Sequence, residues 1–406
     1  MPQDPAGTVS PSSGGLLLLL FPALRTARLD RHEIAGSLGD MGTFLPLLVG
    51  MASQNGLGFA SALFFAGFFN VVTGLLFAIP MAVQPMKAIA AVALTEGLTA
   101  PQIVAAGVSV SLVILFLGLT GLIEVLDRAV PRSVVRGIQL ALGLSLLMKG
   151  LQMVAGTKTP VGLDSVLTGA LAAVATIFLF FSRRLPAALL LFGAGLLLAV
   201  LKAPDVAGTL HLGISLPAWG PPGWDDFVRS FAKAAVPQIP LTTLNSVIAV
   251  CALSTTLFPD RPATPRRVAV SVGLMNLVSA PFGGMPMCHG AGGLAGQYRF
   301  GARTNGSILF LGAAKMGIAL LFGASLMTLC RAFPASILGV MLAVSGLELA
   351  LVTRDQTGRS DAFVMLATAG ASLGLGNVAL GFGIGLALAL LRRLPQFRLD
   401  EPDLPR

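Results

Sequence analysis

Two short segments half a chain apart most constrain what this sequence can fold into. Residues 80–91 read Pro-Met-Ala-Val-Gln-Pro-Met-Lys-Ala-Ile-Ala-Ala, and residues 281–292 read Pro-Phe-Gly-Gly-Met-Pro-Met-Cys-His-Gly-Ala-Gly. Each holds two prolines five apart, a Met after the second, a polar residue or pair, then small residues. Proline lacks an amide N–H and disfavours helix in the residue before it. Each motif therefore reads as an extended stretch that opens a short helix. The segments begin at residues 80 and 281, an offset of 201 in a chain of 406. That offset predicts a duplicated architecture.

What surrounds the motifs decides the solvent. Charged residues make up 11% of the chain, hydrophobic residues 55%, and mean hydropathy is +0.84. A soluble domain carries about 25% charged residues. The 48 glycines suit closely packed membrane helices. Apolar stretches separate into fourteen segments: 34–52, 58–79, 84–98, 101–123, 133–153, 163–181, 185–202, 229–257, 266–281, 286–298, 304–329, 333–352, 361–376 and 378–394. The third and tenth are short and begin at the proline motifs, so they read as half-helices starting near mid-membrane. Irregular backbone at that depth is tolerated only where it lines a cavity or is buried in protein. Paired broken helices are the best sequence pointer to a transporter's binding site.

Basic residues orient the chain. With every segment crossing, one side holds 19 of the 27 Lys and Arg: Arg25, Arg28, Arg31, Arg128, Arg132, Arg136, Arg183, Arg184, Arg261, Arg266, Arg267, Arg299, Arg303, Arg354, Arg359, Arg392, Arg393, Arg398 and Arg406. The other side holds Lys149, Lys158, Lys202, Arg229, Lys233 and Arg331, and Lys87 and Lys315 lie within the membrane. The positive-inside rule makes the first side cytoplasmic, with both termini there. It also accounts for the net charge of +9 without nucleic acid. Seven segments per half, an odd number, makes the repeats inverted. The fold class expected is an all-α integral membrane protein of about fourteen segments, 7+7, in the cell inner membrane.

The expected divisions are a cytoplasmic N-terminal segment 1–32, repeats 33–202 and 229–394, an outer linker 203–228 carrying Trp219 and Trp224, and a cytoplasmic tail 395–406. Met1–Ser13 has no positive charge and does not read as a signal peptide. The run Gly15–Leu24 is too short to span. Cys251, Cys288 and Cys330 are odd in number and lack CxxC spacing, so neither a disulfide framework nor a zinc site is implied.

Lys87 is the sharpest candidate. A lysine at mid-membrane costs about 2.5–3.5 kcal/mol, and the helix N-terminus beside it is already positive. Something negative belongs there: a bound anion, or a carboxylate such as Asp40. Asp40 lies in the first segment, where an intramembrane carboxylate is a functional candidate for proton coupling or for pairing with Lys87. Cys288-His289-Gly290-Ala291 is read as opening the second half-helix. Its glycines would let backbone N–H groups approach a ligand, and His289 would donate to an oxyanion, titrate, or pack as a hydrogen-bonded core residue. A Cys-His nucleophile pair fits poorly, because neighbours on one turn do not face each other. Gln238, Thr242 and Asn245 recur at i, i+4 and i+7, which puts them on one helical face. That face suits a desolvated anion or interhelical hydrogen bonds. Gln84 precedes its half-helix and faces the same cavity. Lys315 and Glu348 read as structural or gate-pairing groups.

Four motifs carry a resemblance. Gly-Asp-Met-Gly-Thr-Phe-Leu-Pro (39–46), Gln-Pro-Met-Lys-Ala-Ile-Ala-Ala (84–91), Gln-Ile-Pro-Leu-Thr-Thr-Leu-Asn-Ser-Val (238–247) and the run 286–303 from Pro-Met-Cys-His-Gly-Ala-Gly-Gly to Phe-Gly-Ala-Arg resemble signatures of the molybdate transporter family, a branch related to the sulfate permeases. The resemblance spans about residues 30–395. It implies a seven-plus-seven inverted repeat, a core domain (33–123 plus 229–329), a gate domain (133–202 plus 333–394), and an anion held between the third and tenth segments. It also implies the absence of the C-terminal STAS domain usual in sulfate permeases.

The substrate-binding set expected is Gln84, Met86, Lys87, Ala88, Cys288, His289, Gly290, Ala291, Gln238, Thr242, Asn245 and Thr43, with Asp40 as the coupling group. The expected function is secondary active import of molybdate by alternating access. The alternatives are sulfate or tungstate, an anion channel of the same fold, or, least supported, a membrane enzyme. Expected partners are the oxyanion, the bilayer, a co-transported proton and a second copy in a homodimer. No cofactor, metal or nucleic acid is expected.

Overall fold

The computed structural model describes residues 22–180, 187–204, 208 and 213–392. Most of the N-terminal segment, part of the linker, the tail, and Arg183, Arg184, Arg393, Arg398 and Arg406 lie outside the described residues.

Each of the fourteen apolar stretches contains a helix. They are α1 (Arg31–Asn55), α2 (Phe59–Phe77), α3 (Lys87–Glu96), α4 (Ala100–Thr120), α5 (Arg132–Ala155), α6 (Val166–Phe180), α7 (Ala187–Lys202), α8 (Trp224–Leu257), α9 (Pro265–Ser279), α10 (Ala291–Arg299), α11 (Gly306–Ala332), α12 (Ala335–Leu351), α13 (Arg359–Gly374) and α14 (Val378–Leu391). Among the described residues, seven helices are long and apolar enough to cross a membrane by themselves. A short helix, Ile123–Ala129, connects α4 to α5. Helix α8 starts at Trp224, inside the stretch 203–228 expected to be linker.

Local chemistry sets the helix ends. The Asp30 carboxylate accepts from the His32 and Glu33 amides at 2.8 and 3.0 Å and so caps α1. Thr99 and Gln102 form a capping box at the start of α4. Gly56, Gly97 and Gly121 end α1, α3 and α4 in the left-handed region. Ala78 ends α2 in the same region at φ 56°, and its carbonyl accepts from Arg261 Nη1 at 2.8 Å.

The two proline motifs do form extended backbone. Strand β1 (Val83–Pro85) pairs antiparallel with β2 (Met287–His289), matching Val83 with His289, Gln84 with Cys288 and Pro85 with Met287. Adding 204 to each β1 number returns the same ladder, so a pseudo-twofold axis passes through the Gln84–Cys288 pair. Lys87 and Ala291, the first residues of α3 and α10, are also 204 apart. The structural offset thus exceeds the motif offset by three. Cys288 and His289 therefore lie in β2 and do not open the second half-helix.

Side chains repeat the symmetry. Asn70 of α2 accepts from the Val83 amide at 2.8 Å, and Asn276 of α9 accepts from the Met287 amide at 2.6 Å. One buried asparagine per half thus holds the first residue of each strand. Helix α2 packs on α11 and α4 on α9, each contact being the image of the other, while α5 packs on α12. Small residues allow these approaches. A Cβ on Gly143 would lie 2.6 Å from the Gly346 carbonyl oxygen, and one on Gly339 would lie 2.6 Å from that of Gly150. The pairs run in opposite chain directions, so α5 and α12 are antiparallel and in backbone contact.

Candidate functional site

The paired strands deliver the starts of α3 and α10 to one cavity of about 250 Å³. Strand alternation selects its lining. Gln84 and Cys288 face it together with Lys87, Gly290, Ala291 and Gly292. The opposite wall comes from α5, with Arg136 and Gln139, and from the end of α12, with Leu349 and, just past it, Val352. Helix α8 adds Gln238, Leu241, Asn245, Ser246 and Ala249.

The two helix starts are not equivalent. Gln238 Oε1 accepts from the Ala88 amide at 2.8 Å and the Ile89 amide at 3.3 Å, so α3 is capped from α8. The Ala291 and Gly292 amides belong to the first turn of α10, which has no intrahelical acceptors. Both residues are partly open to the cavity, and among the described residues neither amide has a protein acceptor. Together with the helix dipole this makes the α10 end an anion-attracting surface. Lys87 adds a full charge. Among the described residues it forms no ion pair.

Asp40 does not take Lys87 as its partner. It is buried, 2% exposed, and its Oδ1 accepts a short hydrogen bond from Gln84 Nε2. Among the described residues its Oδ2 has no hydrogen-bond partner. Asp40 forms no ion pair among the described residues. Lys315 is itself buried, with Nζ 3.5 Å from the centre of the Phe44 ring. Asp40 thus stands behind the cavity wall and touches it through Gln84.

The comparisons with known proteins bear on this geometry. A sequence model described as "Molybdate transporter of MFS superfamily" matches residues 32–146 and 230–349. Molybdate transporter 2 of Arabidopsis thaliana is 41% identical over 408 residues, covering 89% of this chain and 87% of that protein. The chain belongs to the molybdate transporter family. This transporter's fold is that of known anion transporters. The transmembrane domain of a cyanobacterium bicarbonate transporter, BicA, matches with TM-score 0.63 at 17% identity, over 89% of this chain and 97% of that one. SLC26A9 matches with TM-score 0.66 at 13% identity, over 96% of this chain and 72% of that one. The protein is an integral, multi-pass membrane protein of an anion-transport family and fold, and the enzyme alternative has no support from these relatives.

Of the residues singled out in the transporter's sequence, Gln84, Lys87, Gln238, Asn245, Cys288, Gly290 and Ala291 line the cavity together. Ala88 meets Gln238 behind its surface, and Met86 donates its amide to the Pro286 carbonyl at 2.9 Å. Thr43 is not in the lining. His289 points the other way from Cys288, bonded to Ser271 Oγ at 3.0 Å and edge-on to Phe77. Alternation along β2 puts it on the far face. Thr242 is also outside, accepting from Gln238 Nε2 at 2.8 Å. The expected Gln238–Thr242–Asn245 face is split because α8 contains π-helical turns at Phe231–Ala235 and Thr242–Ile248. A π turn bonds i to i+5 and changes the helical period. Lining positions on this helix fall at Gln238, Leu241, Asn245, Ser246 and Ala249, and Thr242 drops out. Glu348 is exposed on α12.

Sequence reading missed Arg136, Gln139, Ser246 and Gly292. Arg136 looked like one more cytoplasmic loop charge, and no spacing tied it to a motif 50 residues earlier. Ser246 stood next to Asn245 in a quoted motif, and its hydroxyl donates to Cys288 Sγ at 3.1 Å.

Proposed function

We propose that the protein is a secondary transporter that imports molybdate by alternating access. The observation that carries the reading is the cavity itself. It joins the open N-terminus of α10 to a lysine at the start of α3 that has no ion pair among the described residues, in a member of the molybdate transporter family. A tetrahedral dianion suits it. The N–H donors and the charge are fixed before the anion arrives, so little ordering cost remains at binding. Its volume leaves room for waters as well, each occupying about 30 Å³ in the liquid.

In this reading α1–α4 and α8–α11 form a core that carries the anion, and α5–α7 and α12–α14 form a gate. The cavity lies between the two. Its lining reaches Arg136 near the start of α5 and Val352 beyond the end of α12, the ends flanked by Arg128, Arg132, Arg354 and Arg359. By the positive-inside argument that side is cytoplasmic, as are both termini, and the membrane is the cell inner membrane. The cavity then opens inward, in the state that releases substrate. Asp40 carries the coupled proton: among the described residues its Oδ2 has no partner and its Oδ1 grips Gln84, so protonation there changes a side chain of the cavity. A homodimer is the expected assembly.

The test is uptake of labelled molybdate into vesicles containing purified protein, against excess sulfate, with and without an inward proton gradient. Saturable molybdate uptake, driven by the gradient and weakly inhibited by sulfate, supports the reading. Equal competition by sulfate would broaden the substrate to tetrahedral dianions, and a large non-saturating anion current would replace the transporter with a channel.

A further inference from the structure

The lining contains a second cation, on the wall opposite Lys87. Arg136 sits in the first turns of α5, and its side chain is 16% exposed. Its guanidinium has two faces. Nε donates to Asp355 Oδ1 and Oδ2 at 3.0 Å each, and Nη2 donates to Asp355 Oδ2 at 2.5 Å. Nη1 turns inward and donates to Gln139 Oε1 at 2.8 Å and, at 3.5 Å, to Asn245 Oδ1 of α8. Gln139 and Asn245 both line the cavity. The Asp355 side chain is 45% exposed, on the solvent side.

We propose that Arg136 is the second cationic contact for the bound dianion, and that Asp355 occupies its fork when the anion is absent. This rests on the reading that the cavity takes a tetrahedral dianion. Lys87 and Arg136 supply two positive charges from opposite walls, against the two negative charges of molybdate. Guanidinium presents parallel N–H donors that match two oxygens of a carboxylate or of a tetrahedral oxyanion equally well. Asp355 is half in water, so solvent can take over its carboxylate when the guanidinium turns to the anion. A carboxylate leaving and an oxyanion entering keeps the arginine satisfied at every stage. The exchange also gives binding a mechanical consequence. An anion held by Lys87 on α3 and by Arg136 on α5 bridges the two walls and draws them together. The long Arg136–Asn245 contact already spans the same gap between α5 and α8. An anion of single charge needs only one of the two cations.

The experiment compares two tetrahedral oxyanions of similar size, molybdate with two charges and perrhenate with one. Affinities are measured by calorimetry on detergent-purified protein, checked for monodispersity. In Arg136→Gln, molybdate should bind roughly tenfold more weakly or worse, while perrhenate changes by less than about threefold. Asp355→Asn removes the competitor, so molybdate affinity should rise severalfold over wild type with its enthalpy more favourable. This second variant decides the matter if Arg136→Gln does not fold. Equal losses for both anions in Arg136→Gln, or unchanged molybdate affinity in either variant, would overturn the proposal. Wild-type protein that binds no molybdate would instead overturn the underlying substrate reading.

Discussion

Gln84 and Cys288 face each other at the centre of the β1–β2 ladder, on the pseudo-twofold axis that relates the two halves of the chain. Both side chains reach the cavity. The symmetry ends one step further along. The first residue of α3 is a lysine, and its counterpart in α10 is an alanine followed by two glycines. One half contributes a charge, and the other contributes open backbone.

Lys87 therefore carries much of the attraction for an anion. Truncating one partner of a buried, charged contact costs about 2–5 kcal/mol, or roughly 30-fold or more in affinity. Lys87→Ala should lose most molybdate uptake while protein yield and membrane insertion stay normal. Uptake by vesicles matched for protein content is the measurement, and near-normal uptake would remove Lys87 from the site.

Gly290 tests the backbone half. Its φ is −124°, so a side chain meets no backbone strain there. A Cβ would instead run into Gln84 Oε1, and a larger group would fill the cavity. Gly290→Leu should abolish measurable molybdate binding with little loss of protein. Normal calorimetric binding by this variant would place the anion elsewhere.

Asp40 separates coupling from binding. Asp40→Asn keeps an acceptor for Gln84 Nε2 but has no titratable group. It should retain molybdate exchange across vesicles and lose accumulation driven by a proton gradient. His289→Gln should keep both, since His289 lies on the far face of β2. Gradient-driven accumulation that survives in Asp40→Asn would move the proton to another group.

Asp30 predicts a local pH effect at the start of α1. Hydrogen bonds from the Glu33 and His32 amides hold its carboxyl below its ordinary 3.8. A depressed folded value means that the cap stabilises above the unfolded value and fades as pH falls through the folded one. Hydrogen exchange at the His32 and Glu33 amides should be protected at neutral pH and accelerate in Asp30→Ala. The contrast between wild type and variant should shrink below pH 3.8. An unchanged contrast at that acidity would mean that the carboxylate charge contributes nothing to the cap.

Much of this architecture was legible because proline and charge act locally. Pro85 and Pro286 announced the broken helices, and the small-residue runs after them announced close backbone approach. What stayed hidden was set by register and by tertiary contact. Matching the prolines gave an offset of 201, whereas an offset of 204 relates the two strands. That difference moved Cys288 and His289 from a helix start into a strand and turned His289 out of the cavity. The face inferred for α8 assumed a constant 3.6 period, and its π turns broke that assumption. Gln238 gave no sequence sign that it would cap α3. Glu33 went unnoticed, although its carboxylate accepts from the Arg303, Thr304 and Ser307 amides and caps the start of α11. Asn70 and Asn276 were equally silent, since a single polar residue in an apolar run does not say which strand it holds.

The most direct measurement is anomalous diffraction at the molybdenum absorption edge, on crystals of the protein grown with molybdate. One strong peak is expected between Lys87 Nζ and the Ala291 and Gly292 amides, with the oxyanion within hydrogen-bond reach of both. A molybdenum peak outside the space between α3 and α10, or a cavity with no peak beside a peak elsewhere on the protein, would contradict it.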